Sequence, residues 1–219
     1  MDFPDAVRKA IKSAAEAFQV SPASDNLPDV STGPRFITHY VTAIDGFDPN
    51  DETTSPEDLL KTLTDEMQLM MRAITEERGN IGMMLGDSIE AYWGAPEEME
   101  KSEGARLACR AALRQLEAVE SHNSIYKLKY GFRMGIASGE AAAGIFGDRR
   151  RQYMAVGLPV NLSRELMVAC KDRDARILVN ETTYELCKDS FLFEERQPIK
   201  RREQETLAKA FELKGLARG

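Results

Sequence analysis

Hydrophobic positions along the chain follow two periods, and these sort it into helices and strands. Residues 3–20 (FPDAVRKAIKSAAEAFQV) space Val7, Ile11, Ala14 and Phe18 at helical intervals. The next stretch, SPASDNLPDVSTGP, is rich in Pro, Ser and Asp and reads as a linker. A boundary near Gly33 therefore separates an N-terminal helix and linker (1–33) from a domain (34–219). RFITHYVTAIDGF is β-branched and aromatic with a Gly stop, which predicts a strand over 36–44. SPEDLLKTLTDEMQLMMRAITEERGN opens with a Ser cap, a Pro at the first helical position and acids in the first turn. Its apolar face is Leu59, Leu60, Leu63, Met67, Met70, Met71 and Ile74, and Gly79 ends it. A hairpin follows, turning at Gly86-Asp87, and a second helix covers about 100–120.

The rest continues in the same way. Leu128, Tyr130, Phe132, Met134 and Ile136 alternate along a half-buried strand, and AAAGIFG is a further short one. Then come a strand at 153–156, a helix at about 159–170, a strand at 176–179, a short helix capped by Asn180 and two closing strands. The leading order, β-α-β-β-α-β, is the ferredoxin-like split pattern. The expected class is α+β: an antiparallel sheet with helices on one face, extended by C-terminal strands and helices.

Composition narrows the chemistry. The 219 residues are 42% hydrophobic and 30% charged, enough for one domain with a full core. A net charge of -7 argues against a nucleic-acid-binding face. No apolar run is long enough to span a bilayer and no signal peptide is visible, so a cytoplasmic protein, or the cytoplasmic part of a larger signalling protein, is expected. Cys109, Cys170 and Cys187 form no CxxC pair and read as reduced thiols. His39 and His122 lack metal-ligand spacing. DRRRQY (148–153) and KRRE (200–203) read as solvated loops before they read as anion sites.

Three stretches, in order, carry a resemblance. GDSIEAYWGAP is similar to GDxxMAVFGAP. RMGIASGEAAAGIFGDRRRQYMAVGLPVNLSREL resembles RIGIxxGExxxGxxGxxxRxxYTxxGDxVNxAxRL. ILVNETTYELCKD resembles ILISxxTYxLVxD. These patterns belong to the class III nucleotidyl cyclase catalytic domain, the adenylate and guanylate cyclases, and the likeness runs from about residue 35 to 190. It implies a reaction in which the 3′-hydroxyl of a nucleoside triphosphate attacks its own α-phosphate and pyrophosphate leaves. It implies Mg2+ or Mn2+ held by two aspartates, and a homodimer, or a heterodimer with another cyclase-type domain, that shares the site.

Position by position, the resemblance is uneven. The second metal aspartate falls on Asp87. The first, in FxDIxGFT, falls on Ala43 of VTAIDGFD. Alanine binds no cation. Asp45 is a replacement ligand only from a bulged strand end, because neighbouring strand side chains face opposite ways. Gly46 and Phe47 keep the family register at the nucleotide. The base-reading Lys is Met83, and the second base-reading position is Met154; thioethers make no strong hydrogen bonds. Asn161 is retained at the ribose. The transition-state Arg is replaced by Glu165, with Arg164 one residue earlier on the same helix. Lys200 corresponds to the late phosphate-binding Lys. The resemblance thus implies a cyclase-type domain with weak or no activity alone, or a dimerising regulatory or ligand-binding module without a cofactor.

Overall fold

The computed structural model describes residues 33–48, 52–146, 152–201 and 207–217. The helix expected over 3–20, its linker and Arg149 to Arg151 lie outside the described residues. The elements are β1 (Gly33–Asp45), α1 (Pro56–Glu76), β2 (Asn80–Leu85), β3 (Ser88–Trp93), α2 (Lys101–Tyr126), β4 (Gly131–Phe146), β5 (Gln152–Val156), α3 (Leu158–Asp172), β6 (Ile177–Asn180), α4 (Glu181–Cys187), β7 (Phe191–Lys200) and β8 (Leu207–Leu216). One eight-stranded sheet runs β2-β3-β1-β4-β6-β8-β7, with β5 paired to β4. The leading β-α-β-β-α-β order holds. β4 and β6 run parallel, and the other pairs are antiparallel.

The helices start where capping chemistry puts them. The Ser55 hydroxyl accepts from the Asp58 N–H at 3.1 Å, and Asn180 accepts from the Thr183 N–H at 3.0 Å. The end of α1 differs from expectation. Arg78, not Gly79, takes the left-handed turn (φ 61°), and the Gly79 N–H reaches back to the Ile74 carbonyl at 2.9 Å. Gly79 is small for another reason: a Cβ there would sit 2.5 Å from the Trp93 ring. The two strands expected around Ser138 are one. β4 stays extended through Ser138-Gly139-Glu140 because β1 pairs with it from Asp45↔Gly131 to Gly33↔Ala143.

Alternation along β1 gives the sheet two different faces. Tyr40 and Ile44 join Met67, Met70, Ile74, Trp93, Phe132 and Ile136 in the main core under α1, α2 and α4. Ile37 packs on the other face with Val160 of α3, and Ala137 meets Leu162 and Leu166 there. α3 comes very close to β4, since a Cβ on Gly135 would lie 1.9 Å from the Ser163 carbonyl oxygen. The residues between the core positions of β1 and β3 therefore look toward α3, and these build the site.

Candidate functional site

The β2–β3 turn is a two-residue hairpin. Gly86 takes positive φ (59°), Asp87 follows, and the Ser88 hydroxyl donates to the Leu85 carbonyl at 2.8 Å. The Ile44 N–H donates to the Asp87 carbonyl at 3.1 Å, which fixes the turn against the end of β1. Ala43 faces Ser88 across one strand pair and Arg133 across the other, and is only 5% exposed. Asp87 is thus delivered to the strand end that carries Ala43. No described residue pairs with its carboxylate.

Asp45 does not behave as expected. β1 is not bulged at its end, and Asp45, two residues beyond Ala43, shares Ala43's face through the strand period. Its carboxylate is already taken: Arg133 lies 3.2 Å from one oxygen and Arg176 3.0 Å from the other. Gly46 adopts positive φ (87°) at the strand exit, and Phe47 packs its ring on the main core.

A shallow, half-open pocket lies between β1, β2, β3, β5 and α3. It brings together three residues singled out from the sequence, Met83, Met154 and Arg164, and adds His39, Glu90, Tyr92 and Tyr153. The β2–β3 register shifts between Ile81 and Met83, and beyond the shift Met83 stands opposite Glu90. Glu90 accepts two hydrogen bonds from Arg164, from Nε at 2.5 Å and from Nη2 at 2.7 Å. His39 places Nε2 3.6 Å from the Glu90 carboxylate and Nδ1 2.7 Å from the Ser163 hydroxyl, which donates to the Val160 carbonyl at 2.9 Å.

The charges in this row are mutually adjusted. Burial pushes the Glu90 carboxyl up, but His39 and Arg164 outweigh it and bring the pKa down to about 2. Burial holds the His39 imidazole below its ordinary 6.5, against an opposing pull from Glu90. At neutral pH the row is a neutral imidazole, a carboxylate and a guanidinium. Sequence reasoning missed His39 and Glu90. Glu90 occupies the Met position of GDxxMAVFGAP, and that single charged residue inside an apolar strand was the available signal.

The remaining positions scatter. Asn161 is exposed in the first turn of α3, its N–H on the Gly157 carbonyl at 3.4 Å. Lys200 is exposed at the end of β7, the edge strand away from the pocket. Cys109 and Cys187 meet in the core with sulfurs 3.8 Å apart, and all three cysteines are free.

Thioethers and tyrosines line this pocket, and no two-metal centre is assembled beside them. Among the described residues no three His, Cys, Asp or Glu side chains gather to hold a metal. Asp87 offers one open carboxylate, Ala43 none, and Asp45 is spent on arginines. The residues present do not fit a pair of ions bridged by two aspartates. No described helix is long and apolar enough to cross a membrane.

Comparison with known proteins places this geometry. Residues 35–214 match the adenylate and guanylate cyclase catalytic domain family. The chain is 30% identical over 187 residues to Adenylate cyclase 1 of Rhizobium meliloti (strain 1021), covering 83% of this chain and 28% of that protein. It is 27% identical over 173 residues to the membrane guanylyl cyclase of Dictyostelium discoideum, covering 78% of this chain and 11% of that one. The chain thus spans less than a third of the length of these relatives. Among solved structures it resembles the adenylyl cyclase CyaB from P. aeruginosa (TM-score 0.79, 22% identity, 86% of this chain and 98% of that one). It also resembles the guanylate cyclase domain of RhGC from Catenaria anguillulae in complex with GTP (TM-score 0.72, 19% identity, 84% and 100%). At these identities the structural likeness establishes the fold.

Proposed function

The chain belongs to the adenylate and guanylate cyclase catalytic domain family, and from that premise we propose that it is a divergent member in cyclic-nucleotide signalling that cyclises nucleotide weakly or not at all by itself. Residues 34–219 are the cyclase-type domain, and residues 1–33 precede it in the chain. The observation that carries the reading is Ala43. It is buried at the strand end against which Asp87 is pinned, where the family resemblance calls for the other half of a carboxylate pair. The family generally uses Mg2+ or Mn2+, which lowers the pKa of the attacking hydroxyl and clamps the triphosphate. One open carboxylate leaves that task to the phosphates themselves. Glu165 in place of a transition-state arginine removes a second contribution. Together these losses remove several kcal/mol of transition-state stabilisation.

A specific observation favours a second reading, a non-catalytic dimerising module that regulates or binds a ligand. Arg164, the guanidinium nearest the family's arginine position, is bound at two points to Glu90 of its own chain. A nucleoside triphosphate remains the ligand class, held near Gly46, Phe47, Met83, Met154 and Asn161. The domain would work in the cytoplasm as a homodimer or beside another cyclase-type chain.

The test is a cyclase assay on the purified chain with ATP, GTP, CTP and UTP, each with Mn2+, and Asp87→Ala as control. Little or no cyclic product is expected from any of the four. Sustained product that vanishes in Asp87→Ala would overturn the reading and make Asp87 a working metal ligand.

A further inference from the structure

We propose that base selection in this pocket has passed from positions 83 and 154 to Arg164, held in place by Glu90, and that it favours a ring bearing a carbonyl, guanine or uracil, over a ring bearing an amino group, adenine or cytosine. The inference rests on reading the pocket as a nucleotide site.

The polarity of the pocket is inverted relative to the family pattern. Met83 and Met154 occupy the two base-reading positions, while Glu90 stands where the pattern has Met, directly across β2–β3 from Met83. Thioethers pack against a ring face but cannot read its edge. Discrimination must come from the polar groups that remain. The Tyr153 hydroxyl is buried with no hydrogen-bond partner among the described residues, and because it can donate or accept it favours neither class of base. The other side chains are engaged within the chain. Both Glu90 oxygens accept from Arg164. The Tyr92 hydroxyl donates to the Tyr153 carbonyl at 2.9 Å. His39 is 2% exposed, with one nitrogen on Ser163 and the other facing Glu90.

Arg164 keeps capacity. A guanidinium has five N–H donors and no acceptor. The contacts to Glu90 engage Nε and one hydrogen of Nη2, leaving three donors along the outer edge. The side chain is 42% exposed, so a ligand can reach that edge. The two-point contact also fixes the plane of the guanidinium, so little freedom is lost when a ligand binds. An edge made only of donors complements acceptors. Guanine presents O6 and N7, the pair that arginine reads in nucleic acids, and uracil presents O4. Adenine and cytosine would turn an amino donor toward it.

Calorimetry on the full chain, titrated in turn with GTP, UTP, ATP and CTP in Mn2+, tests this. GTP is expected to bind about tenfold more tightly than ATP and CTP, in line with the discrimination one two-point arginine contact gives, and UTP, with one acceptor, more tightly by a smaller factor. Single loss of Arg164 strands Glu90, so the paired variant Glu90→Gln/Arg164→Gln, which leaves no lone charge, is the matched control. It should bring the four affinities together. Amino bases binding as tightly as carbonyl bases, or a preference that survives in the paired variant, would overturn the proposal. So would the absence of binding by any nucleotide, a result that leaves the impaired-cyclase reading standing. Cyclic product in the activity assay would instead overturn that reading while the base preference is still measured by binding.

Discussion

The two faces of the sheet are made by alternate residues of the same strands, yet they follow different rules. On the α1/α2 face, Tyr40, Ile44, Trp93, Phe132 and Ile136 form an apolar layer that any chain of this fold needs. On the α3 face, β1 and β3 present Ile37, Ala43 and Tyr92 interleaved with His39, Asp45 and Glu90, so packing residues there alternate with charged and titratable ones. Near β4 that face turns small instead, with Gly135 and Ala137 admitting α3. One face preserves the fold and the other records a change of chemistry. A domain can therefore keep its family's shape while the residues that shape once served are exchanged.

The sharpest way to break that contrast is to attack the apolar face and ask whether the fold depends on it. Trp93 is 1% exposed, meets Tyr40 edge-on at 5.9 Å, and donates from Nε1 to the Glu77 carbonyl at 2.7 Å. Trp93→Ala should cost about 3–5 kcal/mol in urea unfolding, as large aromatic truncations do. A loss below about 1 kcal/mol would mean the layer is not the main support. The next effect comes from the other face. Gly135→Ala would set a methyl 1.9 Å from the Ser163 oxygen and 2.6 Å from the Met167 nitrogen, so α3 must move. A cost of roughly 1–3 kcal/mol is expected. Gly33→Ala, with nothing within 4 Å, should be near neutral beside it. Equal effects at the two glycines would refute the close approach of α3 to β4.

How much of this was legible in the sequence also divides by face. Helical spacing from Leu59 to Ile74 and alternation from Phe132 to Ile136 mark the α1/α2 layer directly, because burial on one side leaves a period. The resemblance brought Met83, Met154 and Arg164 to one place, and the pocket unites them. His39 and Glu90 stayed hidden, since their meaning lies in partners 51 and 74 positions apart in the chain, which no local pattern encodes. Asp45 was misjudged for a similar reason. Its face follows from the strand period, but its occupation by Arg133 and Arg176 needs β4 and the bend leading into β6 to be in place. Lys200, matched by the resemblance to a phosphate-binding Lys, lies at the sheet edge away from the pocket.

The smallest expected effect is in acid, where the faces should respond with opposite sign. Burial keeps His39 below its ordinary 6.5. As pH falls through 6.5, the unfolded chain takes up that proton before the native one does, so stability begins to decline there. Glu90 adds a second decline, from the ordinary 4.5 down to its native value of about 2, as its contacts with His39 and Arg164 are lost. Glu66, fully buried on the α1/α2 face beside His122 at 2.9 Å, works the other way. Burial raises its pKa, so above 4.5 the native state protonates first and falling pH helps it. Urea midpoints followed from pH 8 to pH 3 should therefore drop below about 6.5 in the wild type. His39→Gln should show no decline until near 4.5, and Glu66→Gln should make the wild-type decline steeper by removing the opposing gain. If His39→Gln falls from 6.5 along with the wild type, the acid sensitivity does not arise in the α3-face row. The contrast between the faces would then be one of packing alone.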